Sequence, residues 1–266
     1  MFEKIAQFPN PLELIMDPAS IIVISIFLFL IIAEELRPGR RLPNVKNWKI
    51  KGIFAFIIYF FLSSYLPLFW NEYLAQYRVF DFTFLGNYWG ALVALLLYEL
   101  GVYIWHRSMH KSNLLWRVFH QMHHSAERVD AYGAFYFSPM DMIGFTALTS
   151  LAMVWIGGFT AEATIYAIYG ATFLAVIQHA NVKTPQWMGY IFQRPESHSL
   201  HHAKDIHAHN YSDLPLFDII FRTFKNPKDF TLETGFYPGA SARVKEMVLF
   251  KNIHPGVSNE PLHDPS

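Results

Sequence analysis

Five apolar runs constrain this chain more than any other feature. They lie at about 19–33 (ASIIVISIFLFLIIA), 52–70 (GIFAFIIYFFLSSYLPLFW), 88–105, 140–158 and 161–179. A helix needs roughly 20 apolar residues to cross the hydrocarbon core of a bilayer, and only helices and closed barrels satisfy their own backbone polar groups there. The runs have that length, so the predicted fold is all-α, a membrane bundle of about five hydrophobic helices. Only GGFTAE joins the last two runs, which leaves a re-entrant hairpin as the alternative reading of that pair. The first run lacks a basic leader and a small-residue cleavage site and runs straight into EELRPGRR; it reads as an uncleaved anchor. The composition agrees, because 53% hydrophobic and 17% aromatic residues exceed what a soluble domain of this size carries.

Charge orients the bundle. Arg37, Arg40, Arg41, Lys46, Lys49 and Lys51 all fall between the first two runs, and basic residues near span ends collect on the cytoplasmic side. Placing that loop in the cytoplasm also places 106–139 and 180–266 there, and leaves only Lys4 and Arg78 outside. The chain reads as one membrane-embedded domain over 1–240 with a polar C-terminal tail over 241–266. A formal net charge of zero and the lack of a basic stripe interleaved with aromatics argue against nucleic acid as a partner. The final residues LHDPS are not a retrieval signal for the endoplasmic reticulum, so a bacterial inner membrane is the expected home.

Histidine is the residue out of place in such a chain. His106 and His110 are spaced i, i+4, which puts two rings on one helix face. His120, His123 and His124 follow at i, i+3, i+4, and HSLHH repeats that spacing at His198, His201 and His202. His179 ends the fifth run, at a depth where a polar ring is costly to bury and functional by default. There are no cysteines, so iron–sulfur clusters and thiolate sites are excluded and a metal would be held by His, Asp or Glu. Nine neutral nitrogen donors exceed the four of a structural zinc site and fit two metals with open positions. Imidazole suits iron, zinc, copper and nickel alike, so spacing leaves the element open. His207 and His209 read as solvated loop residues, and His254 and His263 as tail residues.

The ordered set of motifs resembles the fatty acid hydroxylase and sterol desaturase superfamily of integral membrane non-haem di-iron enzymes. The resemblance covers about residues 88 to 225: Glu99 seven residues before the first histidine, then HRSMH, WRVFHQMHHS, QHAN, PESHSLHH and NYSDLPLFDIIFRTF. It implies a helical bundle under a cytoplasmic histidine-rich cap, two iron ions, O2 as co-substrate and a lipid C–H bond as target. The histidines at 106, 110, 120, 123, 124, 179, 198, 201 and 202 fall on the family's ligand positions. The sequence departs from the family where NYSD replaces a frequent Asn-Tyr-Gly and where Arg222 replaces a frequent Gly. The fatty acid 2-hydroxylase branch carries a histidine four residues before the position of His179, and here that residue is Ala175.

The expected activity is therefore hydroxylation of a lipid, fatty acyl, sterol or related, by O2 and external electrons. Desaturation at the same site is the alternative; a membrane metal carrier and a zinc hydrolase are remoter ones, since the ligands cluster beyond span ends and HExxH is absent. No GxGxxG opens a helix after a strand, so no flavin or nicotinamide site is expected. Electrons then come from a reductase or small carrier, and Arg107, Lys111, Arg117 and Arg128 offer an acidic partner a docking face. Glu99, Tyr103 and His106 share a helix face at i, i+4, i+7, so Glu99 is expected to accept the free N–H of a ligand imidazole, and Tyr103 and Asn181 are further expected supporting residues of the site.

Overall fold

A computed structural model describes residues 8–206 and 208–254. His207 and His263, set aside above, lie outside the described residues, as does Lys4. Five segments are long and apolar enough to cross a membrane: Pro18–Leu36, Trp48–Gln76, Thr83–Lys111, Pro139–Ile156 and Ala161–His179. No strand occurs among the described residues; one isolated bridge pairs Ala203 with Thr234.

Local signals set the boundaries. Asn10 and Glu13 form a reciprocal capping box on the short helix Pro11–Met16. Asp17 then caps the first span through Ala19 N, with Pro18 at the first helical position, where its missing N–H removes no bond. The second span bends where Pro67 ends the helix Trp48–Tyr65 and starts Pro67–Gln76. The third helix, Gly86–Lys111, runs six residues past its apolar stretch and carries His106 and His110 in its last two turns. The fourth span closes in a π-turn, Leu151–Ile156.

Small residues let the third and fifth spans pack closely. Ala94, Ala163 and Ala167 are fully buried between them, and a Cβ on Gly90 would sit 3.1 Å from that of Ala163. Lipid tails are as apolar as leucine, so such close backbone contact is what holds membrane helices together. Leu28, Phe29, Ile32, Phe54 and Ile57 point outward and are exposed on the first two spans, as lipid-facing positions should be.

The turn between the fourth and fifth spans decides how deep that pair reaches. Val79, Phe80 and Phe82 N–H groups donate to Trp155, Ile156 and Gly157 carbonyls, and Thr160 Oγ1 donates to Asn87. The pair therefore runs to the level at which the third helix begins. All the histidine segments gather at the other end. There, residues 112–138 and 180–254 form a cap. Residues 241–254, read from sequence as a polar tail, fold onto this cap: Met247 and Ile253 are buried, and Gln121 bonds the Lys251 carbonyl and the Ile253 N–H.

The second span meets the cap at Gly52, where an added Cβ would lie 2.2 Å from the Tyr132 carbonyl oxygen. Backbone cannot yield as a flexible side chain can. We expect Gly52→Ala to lower the thermal unfolding midpoint in detergent by the equivalent of about 1–3 kcal/mol, while Gly90→Ala costs less; equal midpoints for Gly52→Ala and the wild type would refute the contact.

Candidate metal centre

The cap is built from short helical pieces that each deliver histidines. Ser112 caps Asn113–Leu115 through Leu115 N, and the chain then enters a π-turn at Trp116–His120 before Gln121–His124. The π-turn carries one of the rings, a common use of this rare geometry. The helix Pro195–His201 starts on a proline, carries Glu196 in its first turn and ends in the second cluster. The fifth span stops at His179.

These segments bring all nine histidines together, buried, in two groups. His106, His110, His120, His124 and His201 form one; His123, His179, His198 and His202 form the other. Within each group one ligand atom per residue lies within 4.8 Å of every other. Neighbours in sequence part company: His123 and His124 join different groups, as do His201 and His202. Consecutive helical residues point about 100° apart, so a pair of adjacent histidines straddles two sites and cannot serve one. The groups touch where the His124 and His202 rings stack at 4.2 Å.

The proton positions follow from what stands behind the rings. His120 Nδ1 donates to Asp141 Oδ2 at 2.8 Å, His106 Nδ1 to the Tyr211 carbonyl at 2.7 Å, and His201 Nδ1 to the His209 carbonyl at 2.7 Å. His179 Nδ1 donates to the Ala175 carbonyl, one turn back on its own helix, at 2.6 Å. These oxygens only accept, so each Nδ1 carries the proton and each neutral ring presents a bare lone pair at Nε2. In the first group His106 Nε2 lies 2.9 Å from both His120 Nε2 and His201 Nε2. Bare lone pairs at that separation cannot hydrogen-bond to one another. A shared cation would resolve them, and the donor set, all imidazole nitrogen, suits a transition metal. The second group repeats the approach, with His179 Nε2 at 3.0 Å from His123 and 2.9 Å from His198, and His198 at 3.1 Å from His202. Burial pushes the basicity of His120, His123, His124, His198 and His202 well below the usual imidazole range, keeping them in the neutral form that ligation needs.

The supporting residues differ in part from those the sequence suggested. Glu99 is buried on the expected face, but its Oε2 accepts from Ser212 Oγ, Asp213 N and Leu214 N at 2.9–3.1 Å rather than from an imidazole. It fixes the turn after Tyr211, and so acts on His106 one step removed. The carboxylate that does receive a ring proton is Asp141, at the cap end of the fourth span; a charged residue inside an apolar run was the available signal. The Tyr103 hydroxyl accepts from Arg107 Nη1 at 2.8 Å, and its ring meets Tyr211, which in turn packs on His106. Asn181 joins the first loop to the fifth span: its side chain bonds Arg40 N and the Arg40 carbonyl, and its N–H donates to Glu34.

His209, set aside as solvated, contributes through its backbone. His209 and Asn210 both adopt positive φ, 69° and 54°, a region where asparagine is among the few tolerant side chains. Asn210 is pinned by Nδ2 to the Ser197 and Lys225 carbonyls and by Oδ1 from Lys225 N. Asp218 holds the next two N–H groups, of Tyr211 and Ser212. This stretch turns two carbonyls, His209 and Tyr211, toward two rings.

Comparison with known proteins agrees with this geometry. Residues 91–223, half of the chain, match the family model described as fatty acid hydroxylase. An ornithine lipid hydroxylase of Rhizobium tropici is 30% identical over 142 residues, 51% of this chain and 42% of that protein. A very-long-chain aldehyde decarbonylase of Oryza sativa is 28% identical over 134 residues, 48% of this chain and 50% of that protein. A sphinganine C4-monooxygenase of Arabidopsis thaliana is 24% identical over 154 residues, 57% of this chain and 59% of that protein. The matched region spans about half the length of these curated relatives. No solved structure matches the chain.

Two outcomes follow from the ring partners. Asp141→Asn removes the charge that holds the His120 proton, and we expect a 10–100-fold loss of metal affinity, read by competition with a chelator; unchanged affinity would return Asp141 to a packing role. The second concerns acid. Rings held neutral when folded but free to protonate near pH 6.5 when unfolded stabilise the fold above that pH and lose that contribution below it. Thermal scans of metal-free protein should show the unfolding midpoint falling steadily from pH 6.5 to 5, and a flat profile would contradict the burial of these rings.

Proposed function

The chain belongs to the fatty acid hydroxylase family, and we propose that within it this protein is a membrane-bound di-iron oxygenase that hydroxylates a lipid. The observation that carries the proposal is the convergence of nine buried imidazoles into two groups, with bare Nε2 lone pairs at His106, His120 and His201 in the first and at His179 in the second. His106, His110, His120, His124 and His201 would hold one iron, and His123, His179, His198 and His202 the other. Two irons bound there would supply the reductive activation of O2 that attack on an unactivated C–H bond requires. One oxygen atom enters the new C–O bond, the other leaves as water, and two electrons and two protons come from outside the chain.

The protein's own share is to hold the ligands and keep water out. Trp116 covers the first group, its ring 5.1 Å from those of His110 and His124. Phe137 covers the second, 4.7 Å from His123. A dry, closed site protects an oxidising centre from side reactions. Below the cap a cavity of about 320 Å³ runs between the spans, lined by Phe56, Tyr59, Tyr98, Phe135, Met153 and Ala175 among others. Tyr59 and Phe135 pack on Phe137, so the cavity ends one ring from His123, and Ala175 lies one turn from His179. A bilayer-dissolved chain entering this cavity would lie close to the second group.

The names of the Rhizobium and Arabidopsis relatives specify lipid hydroxylation and support that outcome over desaturation. The basic residues around the cap favour a cytoplasmic cap, in a bacterial inner membrane as the first of these relatives suggests, and an external reductase or small carrier would deliver electrons to it. Of the four cations expected to attract that carrier, Arg128 is engaged with Asp130, Arg107 with the Tyr103 hydroxyl and Arg117 with the Asn113 carbonyl.

Purified protein is expected to contain close to two irons per chain by mass spectrometry, and His120→Ala and His201→Ala to lose iron and turnover together; full iron retention by both would end the di-iron assignment. With ¹⁸O2, lipid and an electron source, the hydroxylated lipid should carry ¹⁸O. A desaturated product without label would favour the alternative, and label derived from water would point to a hydrolytic metal site.

A further inference from the structure

The helix Pro215–Ile220 is built inside out. Its one charged residue, Asp218, is fully buried and accepts the Tyr211 and Ser212 N–H groups, while Leu216, Ile219 and Ile220 are exposed. The turn Gln186–Tyr190 and the residue after it repeat the pattern. Trp187, Tyr190 and Ile191 are exposed, whereas Gln193, Arg194 and Glu196 just beyond them are buried. A water-facing surface does the reverse, with charged side chains outward and large apolar ones inward. Large apolar side chains grouped on the outside mark a surface that meets something apolar. The two pieces form one unit. Gln193 N donates to the Asp213 carbonyl at 2.9 Å, Gln186 and Asn226 each donate a side-chain amide to the other's carbonyl at 2.9 Å, and the Tyr190 and Phe224 rings lie 5.8 Å apart.

Their level in the fold says what covers them. Leu214, just before the helix, donates its N–H to Glu99, and Phe221, just after it, stacks on Tyr103 at 4.8 Å. The helix therefore lies alongside residues 99–103 of the third span, inside the apolar run 88–105. At 1.5 Å per residue, Glu99 is about 10 Å below His106. The second piece reaches a similar depth on the fifth span: the Phe192 and Phe173 rings are 6.4 Å apart, and Phe173 lies about 9 Å before His179 on the same scale. Ile104 of the third span is itself exposed and lines one groove with Phe221, so this surface is continuous with the lipid-facing surface of the bundle.

We infer that residues 186–191 and 215–221 form a wedge seated in the bilayer leaflet on the cap side, with acyl chains against Leu216, Ile219 and Ile220. Trp187 and Tyr190 are the residue types that settle at the headgroup boundary. The chain that joins the two pieces carries His198, His201 and His202, so lipid as well as the spans sets the depth of the last histidine cluster. The inference needs only that the spans cross a bilayer and is independent of the oxygen chemistry proposed above.

The test exploits the absence of cysteine from the chain. Ile220→Cys and Trp187→Cys, one in each piece, are labelled with bimane in the full chain in phosphatidylcholine nanodiscs. Phe29→Cys, on the lipid-facing side of the first span, and Leu232→Cys, fully exposed beside the Lys204–Glu233 ion pair, are the references. Phosphatidylcholine carrying a nitroxide near the headgroup end of its acyl chain should quench the labels at 220 and 187 several-fold more than the label at 232. Aqueous iodide should quench them several-fold less than at 232, down to the level seen at 29. Leu216→Cys and Tyr190→Cys repeat the reading at neighbouring positions, so a single perturbed variant does not decide it. Iodide access equal to that at 232 without lipid quenching would make the surface water-facing and overturn the proposal. So would protection from both quenchers, which would mean that protein, such as a second copy of the chain, covers it.

Discussion

Everything in the cap depends on keeping protons on one side of the imidazole rings. A neutral histidine offers one lone pair, and the nitrogen that offers it is decided by what accepts the proton from the other. Here the accepting oxygens come from widely separated places: a carboxylate on the fourth span for His120, two carbonyls of the 209–211 stretch for His201 and His106, and the fifth span's own carbonyl for His179. Each fixes a ring orientation as well as a tautomer. The positive φ values at His209 and Asn210 fall where the His209 and Tyr211 carbonyl directions are set.

Helix periodicity made much of this arrangement legible in advance. The i, i+4 pair at 106 and 110 and the two i, i+3, i+4 clusters translate directly into shared faces, and runs of about 20 apolar residues translate directly into spans. The division of nine histidines into five and four was not read in advance, because which ring joins which group depends on how segments distant in sequence pack against one another. The oxygens behind the rings were hidden for a related reason. His106 and Tyr211 are 105 residues apart, and His120 and Asp141 are 21 apart, so no local spacing announces either pair. Glu99 illustrates the limit of face reasoning. It does lie on the His106 face, but two turns lower, where its carboxylate meets the 212–214 turn before it can meet a ring. Residues 241–254, grouped in the sequence with a polar tail, dock on the cap through Val244, Met247 and Ile253.

The cap and the spans are joined by buried polar groups, and each join has the same form. Glu34, at the end of the first span, accepts the N–H groups of Ala131 and Asn181 through one oxygen, both at 2.7 Å. Trp48, at the start of the second, donates to Asp130, whose same oxygen accepts Gly133 N. Glu99 in the third span takes the N–H groups of Asp213 and Leu214, and Asp141 in the fourth takes the His120 ring. Four of the five spans thus contribute a polar side chain to a specified partner in the cap, and the fifth ends in a histidine of the centre itself. An apolar contact between cap and bundle would be worth as much and would tolerate sliding, since dispersion and burial have little directionality. A buried carboxylate tolerates none, because moving away from its N–H donors leaves it unsatisfied at a cost of several kcal/mol. The joins therefore set the position of every histidine segment relative to the bundle. Two groups of imidazoles whose nitrogens approach within 2.9–3.1 Å require placement of that accuracy, and this is why a chain so apolar keeps four acidic or indole side chains buried at one end of its spans.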